Sequence, residues 1–265
     1  MDLGLASARV VVTGGASNIG RAIVHGFARE GARLVIADLD ATQAERVRRE
    51  ALDLGAADVA TSIGDLVDPG SADAAVARSV EAWGGLDVVV NNAGWSQGEF
   101  LAKDDDRERW RRLIDVNLVA LVEMTRAAIP ALRASGGGSM TLISSEAAFG
   151  QIRQGVYGAT KAAGIALART VAREHGRHGI RSNIVCPGLV VPDGADAVGA
   201  DSLWAGGTDA IFTEAQSEYL LKDTPLNRMT TADDVAHAAV WLSSPLAARQ
   251  VTGQLFSVSG GYTMP

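Results

Sequence analysis

The sequence has a single cysteine, few aromatic residues, no excess of positive charge and no long apolar run. Cys186 alone excludes an internal disulfide, and no histidine stands at ligand spacing from it, so we predict no metal site. The net charge of -7 argues against nucleic-acid binding, which needs a basic stripe. No stretch reaches the roughly 18 apolar residues of a membrane span, and the first residues lack a signal-type segment. We therefore expect a cytoplasmic protein without a membrane partner.

The 265 residues are 47% hydrophobic and include 30 glycines, which is typical of one large α/β domain covering 1–265. Short β-branched runs alternate with amphipathic stretches, and this alternation predicts βαβ units in a single doubly wound parallel sheet with helices on both faces. We predict strands at 9–13, 33–38, 58–63, 86–91, 138–144, 181–186 and 254–258. The predicted helices are 18–30, 41–54, 70–83, 107–134, 156–176 and 232–243, with Asp40 and Thr231 as N-caps.

The segment 193–224 has no strand pattern, although Trp204 and other large apolar residues are spaced through it. A loop of this length inside a compact domain is usually functional. We therefore predict that it forms a lid over a substrate.

The first predicted strand runs directly into a glycine-rich turn and then into a helix. The turn residues Gly14, Ser17, Asn18, Ile19 and Gly20 stand where a backbone can approach a pyrophosphate at the N-terminus of the helix. This order of strand, glycine turn and helix predicts a dinucleotide site of the Rossmann type.

Asp38 ends the second predicted strand about 20 residues beyond the glycine turn, where an acidic side chain accepts hydrogen bonds from an adenosine ribose. Its charge would repel a 2′-phosphate, and neither Ser17 nor Leu39 supplies a cation for one. We therefore predict NAD as the cofactor, with Asp38 and Leu39 at its adenosine end.

Further motifs follow in a definite order along nearly the whole chain: Asp65, Asn91-Asn92-Ala93-Gly94, Asn117, Ser144, Tyr157 with Lys161, and Pro187-Gly188. In this set the chain resembles the classical short-chain dehydrogenase/reductases. The resemblance implies that Asp65 and Leu66 hold the adenine. It also implies nicotinamide contacts from Asn92, Ala93, Gly94, Pro187, Gly188, Leu189 and Val190.

Tyr157 and Lys161 carry the predicted chemistry. Residues i and i+4 share a helix face, so the Lys161 ammonium should favour the phenolate and lower the tyrosine pKa toward the working pH. The resemblance assigns Ser144 to the substrate oxygen, on its spacing from Tyr157, with Ser145 as the rival. It also implies a helix distortion at Asn117 and a water that links Lys161 to solvent. We predict an oxidoreductase that interconverts a secondary alcohol and a ketone.

Two positions depart from the pattern of the family. Asn18 replaces the middle glycine of the turn, but asparagine tolerates positive φ better than other side chains do. Pro192 stands where the family has a threonine that contacts the nicotinamide carboxamide. We expect altered cofactor affinity without loss of activity.

The substrate stays open at this stage. The resemblance places Trp95, Gln97, Ser144, Glu146, Gln151, Tyr157 and Trp204 around it, which suits either an apolar alcohol or a sugar-like one. A β-ketoacyl thioester reductase and a non-catalytic NAD-binding scaffold are the alternatives. Classical members are dimers or tetramers, which here would pair 107–134 and 156–176, so we expect a homotetramer or homodimer.

Overall fold

Short runs of β-branched and aliphatic residues form the parallel sheet. The computed structural model describes residues 1–192, 194 and 221–265, so Trp204 and most of the predicted lid lie outside the described residues. The strands are β1 (Arg9–Thr13), β2 (Arg33–Asp38), β3 (Asp58–Ile63), β4 (Val88–Asn91), β5 (Gly138–Ile143), β6 (Ile180–Pro187) and β7 (Leu255–Val258). β1, β2 and β3 have the predicted bounds, and the other strands differ by one or two residues at an end.

The strand order defines where a ligand can enter. The described strands form one sheet in the order β3-β2-β1-β4-β5-β6-β7, and every neighbouring pair is parallel. This confirms the predicted doubly wound sheet. The order reverses between β1 and β4, and in such sheets the ligand crevice lies beyond the carboxyl ends of the strands at this switch point.

Helices connect the strands and cover both faces of the sheet. They are α1 (Asn18–Arg29), α2 (Ala41–Asp53), α3 (Ser71–Trp83), α4 (Arg107–Ile114), α5 (Ala120–Ala134), α6 (Gly155–His175) and α7 (Ala232–Ser243). Both predicted N-caps are confirmed. The Asp40 carboxylate accepts from the Gln43 backbone N–H, and Thr231 forms a reciprocal capping box with Asp234.

The stretch predicted as one helix over 107–134 is interrupted. A π-helical turn, Asp115–Val119, separates α4 from α5, and the buried side chain of Asn117 lies in this turn. Single π-helical turns inside α-helices are frequent at functional sites. The expected distortion at Asn117 is therefore present.

Two apolar layers hold the helices on the sheet. Phe27 of α1 and Val240 of α7 belong to the core on one face, while Val76 of α3 and Met124 of α5 belong to the core on the other. In the described part of the chain, no helix is long and apolar enough to cross a membrane, and no three His, Cys, Asp or Glu side chains cluster as metal ligands.

Candidate active site

The glycine turn after β1 is so tight that only glycine fits at two positions. Gly14 has φ +60°, and a Cβ there would lie 2.9 Å from the Ala93 Cα. A Cβ on Gly20 would overlap the Gly14 carbonyl oxygen at 1.8 Å. Glycine at these two positions therefore lets the turn pack closely against the end of β4 at the switch point, where a pyrophosphate is predicted to bind.

The N-terminus of α1 fits an anion. Ser17 is its N-cap residue but makes no side-chain capping bond, and Asn18, with φ +40°, has a buried Oδ1 atom without a partner. Ile19 is partly buried against the core. Backbone N–H groups of the first turn have no acceptor within the helix and carry the positive end of its dipole. These features suit a dinucleotide phosphate at the predicted place.

Asp38 is held beside the glycine turn by two backbone amides. Its Oδ2 atom accepts from the Ala16 N–H at 2.9 Å, and its Oδ1 atom accepts from the Asp40 N–H at 3.1 Å. Burial raises the pKa of Asp38, and these amide hydrogen bonds act in the opposite direction. Leu39 is exposed beside it. A carboxylate accepts up to about four hydrogen bonds, so acceptor capacity remains for ribose hydroxyls.

Asp65 follows β3 and is exposed, while Leu66 is half-buried. The Asp65 Oδ1 atom accepts from the Val67 N–H at 3.0 Å. This bond shapes the loop beside the adenosine end of the predicted site and leaves the other carboxylate oxygen available.

Asn92 and Thr13 join the carboxyl ends of β1 and β4. The Asn92 Nδ2 atom donates to the carbonyls of Thr13 and Gly14, each at 3.0 Å. The N–H groups of Asn92 and Ala93 both donate to the Thr13 hydroxyl, also at 3.0 Å. Thr13 is a brace that sequence reasoning missed, although its place before the first glycine of the turn was visible.

Lys161 and Tyr157 lie side by side on α6. The Lys161 ammonium is 5.6 Å from the centroid of the Tyr157 ring and donates to the Ile143 carbonyl at 3.1 Å. A Cβ on Gly94 would be only 3.0 Å from the Lys161 Nζ atom, so the chain after β4 lies against the lysine. The predicted pair is therefore assembled at the carboxyl ends of β4 and β5.

Burial shifts the pKa values of the pair in the protein alone. It raises the pKa of Tyr157 to about 12 and lowers the pKa of Lys161 to about 8. Desolvation disfavours the charged form of each group. The expectation of a lowered tyrosine pKa concerns the enzyme with its positive nicotinamide ring and stays a prediction.

Two serines follow β5, and they play different roles. Ser144 is buried, and its hydroxyl donates to the Lys161 carbonyl at 3.1 Å. The hydroxyl bonded to the Tyr157 phenol is that of Ser145. The two hydroxyls differ in this way because successive residues at the end of a strand point in opposite directions, and residue spacing alone does not register this. The assignment of Ser144 to the substrate oxygen stays a prediction, with Ser145 as the rival that bonds the phenol.

Asn117 connects the π-helical turn to the loop after β4. Its Nδ2 atom donates to the carbonyls of Trp95 at 2.7 Å and Leu113 at 3.0 Å, and its Oδ1 atom accepts from the Trp95 N–H at 3.1 Å. The guanidinium of Arg112 lies 4.8 Å from the centre of the Trp95 ring. Asn117 thus holds Trp95 in place, while the proposed water link stays a prediction.

Glu146, which was predicted to contact the substrate, lies inside the protein. Its side chain is buried, and the hydroxyls of Ser259 and Thr263, from the segment after β7, donate to it. Burial raises the pKa of Glu146 and these hydrogen bonds oppose the rise. Glu146 thus anchors the C-terminal segment, which no local sequence signal indicated, while its Oε1 atom is buried without a hydrogen-bond partner among the described residues. The predicted substrate contact stays a prediction. Of the other predicted substrate residues, Gln97 is exposed and Gln151 is half-buried.

The loop after β6 carries the predicted nicotinamide contacts. Pro187 ends β6, and the Gly188 N–H donates to the Val258 carbonyl at 3.0 Å. A Cβ on Gly188 would lie 3.2 Å from the Ser259 Cα, so the loop packs closely against the C-terminal segment. Leu189 follows, and Val190 is buried and bridged to Thr230. The effect of Pro192 on cofactor affinity stays a prediction.

Comparisons with known proteins agree with this geometry. Residues 14–263 match the sequence profile of a family described as enoyl-(acyl carrier protein) reductase. Sorbitol dehydrogenase of Cereibacter sphaeroides is 34% identical over 256 residues, covering 96% of each chain. An uncharacterized short-chain type dehydrogenase/reductase of Sinorhizobium fredii is 34% identical over 261 residues, covering 95% of each. A 7α-hydroxysteroid dehydrogenase, solved with NADH and 7-oxo glycochenodeoxycholic acid, matches with a TM-score of 0.87 and 30% identity, over 98% of this chain and 96% of that one.

The doubly wound sheet, the glycine turn and the tyrosine-lysine pair define a nicotinamide-dependent oxidoreductase. The chain belongs to the classical short-chain dehydrogenase/reductase family.

Proposed function

We propose that the chain is an NAD-dependent enzyme that oxidises a secondary alcohol or reduces the corresponding ketone, with Tyr157 as the proton-transferring residue. The observation that carries this proposal is the juxtaposition of the Tyr157 phenol, the Ser145 hydroxyl and the Lys161 ammonium at the carboxyl ends of the strands. They lie beside a glycine turn whose backbone is accessible to a dinucleotide.

Each group has a distinct role in the proposed reaction. When bound, the nicotinamide ring supplies the hydride chemistry. In oxidation, Tyr157 takes the proton of the substrate hydroxyl, Ser145 donates a hydrogen bond to the same oxygen, and Lys161 carries the compensating positive charge. Because burial alone raises the tyrosine pKa, we expect the phenolate to form only when the bound cofactor adds positive charge beside it. Asn117 keeps Trp95 and the π-helical turn in position around Lys161.

The class of alcohol is the next question. Similarity to sorbitol dehydrogenase supports a polyol, and similarity to a hydroxysteroid dehydrogenase supports a bulky alicyclic alcohol. The description of the matching family mentions an acyl carrier protein, which supports an acyl thioester, such as the β-ketoacyl thioester of the alternative, as a second candidate. Absorbance at 340 nm with NAD and one alcohol of each class tests the proposal. A protein that binds NAD but turns over none of them would be a non-catalytic scaffold.

Cofactor choice gives the first quantitative prediction. We expect NADH to bind at least about tenfold more tightly than NADPH, since the Asp38 carboxylate accepts from a ribose and repels a 2′-phosphate. Asp38→Asn keeps the shape of the side chain but removes its charge, so the dissociation constants of NADH and NADPH should differ less in this variant. Fluorescence titration measures both dissociation constants. Equal affinities in the wild type would contradict the assignment of NAD.

The two serines give a matched pair of variants. Ser145→Ala should lower kcat/KM by about 10²- to 10³-fold, as the loss of a hydrogen-bond donor to the reacting oxygen does. Ser144→Ala removes a hydroxyl that bonds the backbone of Lys161, so its effect should be much smaller. Steady-state kinetics compare them, with circular dichroism as the check on folding. A larger loss for the folded Ser144 variant would return the substrate contact to that residue.

We also propose a homotetramer or homodimer that pairs the stretch 107–134 with α6. The chain mass is 27.5 kDa. Light scattering at micromolar concentration should give at least twice this mass, and a monomer would contradict the proposal. The cytoplasmic location expected from the sequence stays a prediction.

A further inference from the structure

Two loops meet at one edge of the candidate active site. The Ser96 hydroxyl donates to the Gln154 Oε1 atom at 3.2 Å, and Glu99 forms a parallel bridge with Gln154. A Cβ on Gly98 would lie 2.5 Å from the Arg153 carbonyl oxygen, so the two backbones are in close contact. We call the surface formed by residues 98–103 and 149–155 the rim.

Both loops of the rim are adjacent in sequence to residues of the proposed active site. The first leaves Trp95, whose backbone is held on both sides by Asn117. The second leads through Gln154, the N-cap residue of α6, into the first turn of the helix that carries Tyr157. The rim is therefore the border of the substrate site and not a remote surface.

The rim exposes large apolar side chains side by side. Phe100 is 50% exposed, Leu101 is 68% exposed and Ile152 is 82% exposed. Leu101 packs against Gly155 at the start of α6, with a distance of 3.3 Å from its Cδ1 atom to an added Cβ. Single exposed apolar residues are ordinary, but a group of them beside a cleft marks a binding surface.

Two cations flank the ring of Phe100. The Lys103 ammonium is 5.8 Å and the Arg153 guanidinium 5.6 Å from its centroid. Among the described residues, neither cation forms an ion pair. Two carboxylates lie nearby in the sequence: Asp104 is paired with Arg109, and Glu99 accepts from the Phe100 N–H and forms no ion pair among the described residues.

Arg153 is also held in an unfavourable backbone conformation. Its φ is +66°, in the left-handed region that side chains other than glycine, asparagine and aspartate rarely adopt. Such strain persists where the surrounding structure imposes it, and it clusters at ligand sites. Here it directs a guanidinium, without an ion-pair partner among the described residues, over the exposed aromatic ring of Phe100.

We propose that the rim binds the distal end of an amphipathic, anionic substrate. The apolar body of the alcohol would cover Phe100, Leu101 and Ile152, and a carboxylate or sulfate at its far end would pair with Lys103 and Arg153. The reacting hydroxyl would then lie at Tyr157. This inference rests on the proposed function and adds a charged end to its substrate.

Matched pairs of probes test the rim. The alcohols are 4-(1-hydroxyethyl)benzoate and its longer analogue 4′-(1-hydroxyethyl)biphenyl-4-carboxylate, each compared with its neutral methyl ester. With NAD, at least one acid should show a kcat/KM about tenfold above that of its ester, the contribution of one charge-assisted hydrogen bond. The preference should fall in 0.5 M NaCl, because salt screens exposed charges.

Charge-removing variants locate the effect. In the double variant Lys103→Gln, Arg153→Gln, the ratio of kcat/KM for the acid to kcat/KM for the ester should fall toward one. The control variant Arg249→Gln removes an exposed cation elsewhere, and there the ratio should keep its wild-type value. Glutamine has the same backbone preference as arginine, so the strain at residue 153 is unchanged. Acid-to-ester ratios within twofold in the wild type, or the same ratio in the double variant, would overturn the proposal.

Binding separates this inference from the proposed function. Calorimetry of the corresponding ketones with the NADH-bound protein measures the charge preference without turnover. Tighter binding of the acids than of the esters, lost in the double variant, supports the rim even if no alcohol is oxidised. A failure to oxidise any alcohol would count against the proposed function alone. Equal binding of acids and esters would overturn the rim while leaving oxidation of neutral alcohols intact.

Discussion

Tyr157→Phe should lose two to four decades of turnover, the contribution typical of a positioned proton donor or acceptor. The substitution removes only the hydroxyl, so the ring keeps its place beside the Lys161 ammonium and NADH should bind with nearly unchanged affinity. The measurement is kcat for a secondary alcohol, with a primary deuterium isotope effect to show that hydride transfer limits the rate.

The outcome that would contradict this prediction is clear. If Tyr157→Phe kept more than about a tenth of the wild-type turnover while chemistry limits the rate, the tyrosine would not be the proton carrier. Ordinary alcohol and ketone chemistry would then have to be withdrawn for this chain. A Tyr157→Phe protein that is inactive and also fails to bind NADH would indicate damage to the site instead of loss of a proton.

Lys161→Met should damage both turnover and cofactor binding, in contrast to Tyr157→Phe. We expect kcat/KM to fall by at least about 10²-fold, as when one electrostatic contact to the reacting centre is removed. In the wild type, oxidation should rise with pH as the phenol ionises in the cofactor complex. Without the neighbouring cation this inflection should move to higher pH. An unchanged inflection would show that Lys161 does not set the tyrosine pKa.

The same variant has a signature in stability that does not depend on activity. Burial lowers the pKa of Lys161 from 10.5 to about 8, so between about pH 8 and pH 10 this side chain binds more protons in the unfolded chain than in the folded one. Lys161 therefore contributes a rise in the free energy of unfolding with pH across this window, whereas Cys186, whose pKa burial raises from 9.0 to about 11, contributes a fall above about pH 9. Urea unfolding of the apo protein should therefore give a more positive dependence of the free energy of unfolding on pH in the wild type than in Lys161→Met. If the free energy of unfolding depended on pH in the same way in both proteins, Lys161 would not be desolvated.

Hydrophobic periodicity, glycine turns and helix caps predicted the fold because each acts locally. The β-branched runs, the glycine turn and the caps at Asp40 and Thr231 each fix the conformation of their own segment, and the bounds of β1, β2 and β3 followed directly. The interruption at Asp115–Val119 is different, since α4 and α5 read as one periodic stretch. Only the resemblance to a family indicated a distortion there.

The candidate site was predicted where its groups belong to one element and less well where partners come from far along the chain. Tyr157 and Lys161 share α6, so their proximity followed from helix geometry. The direction of Ser144 and Ser145 depends on how β5 ends, and the environment of Glu146 depends on Ser259 and Thr263, more than a hundred residues away. The raised pKa of Tyr157 in the protein alone was not predictable from the sequence for the same reason, because burial is a property of the packed molecule.

The position of Asp38 bears on any attempt to redesign the cofactor specificity of this enzyme. The carboxylate joins the Ala16 amide of the glycine turn to the Asp40 amide at the start of α2. A substitution that admits a phosphate at the ribose would also leave these two amides without their acceptor. Exchange of this one side chain would therefore destabilise the glycine turn that has to bind the new cofactor. A successful redesign must supply a new internal brace together with the new charge.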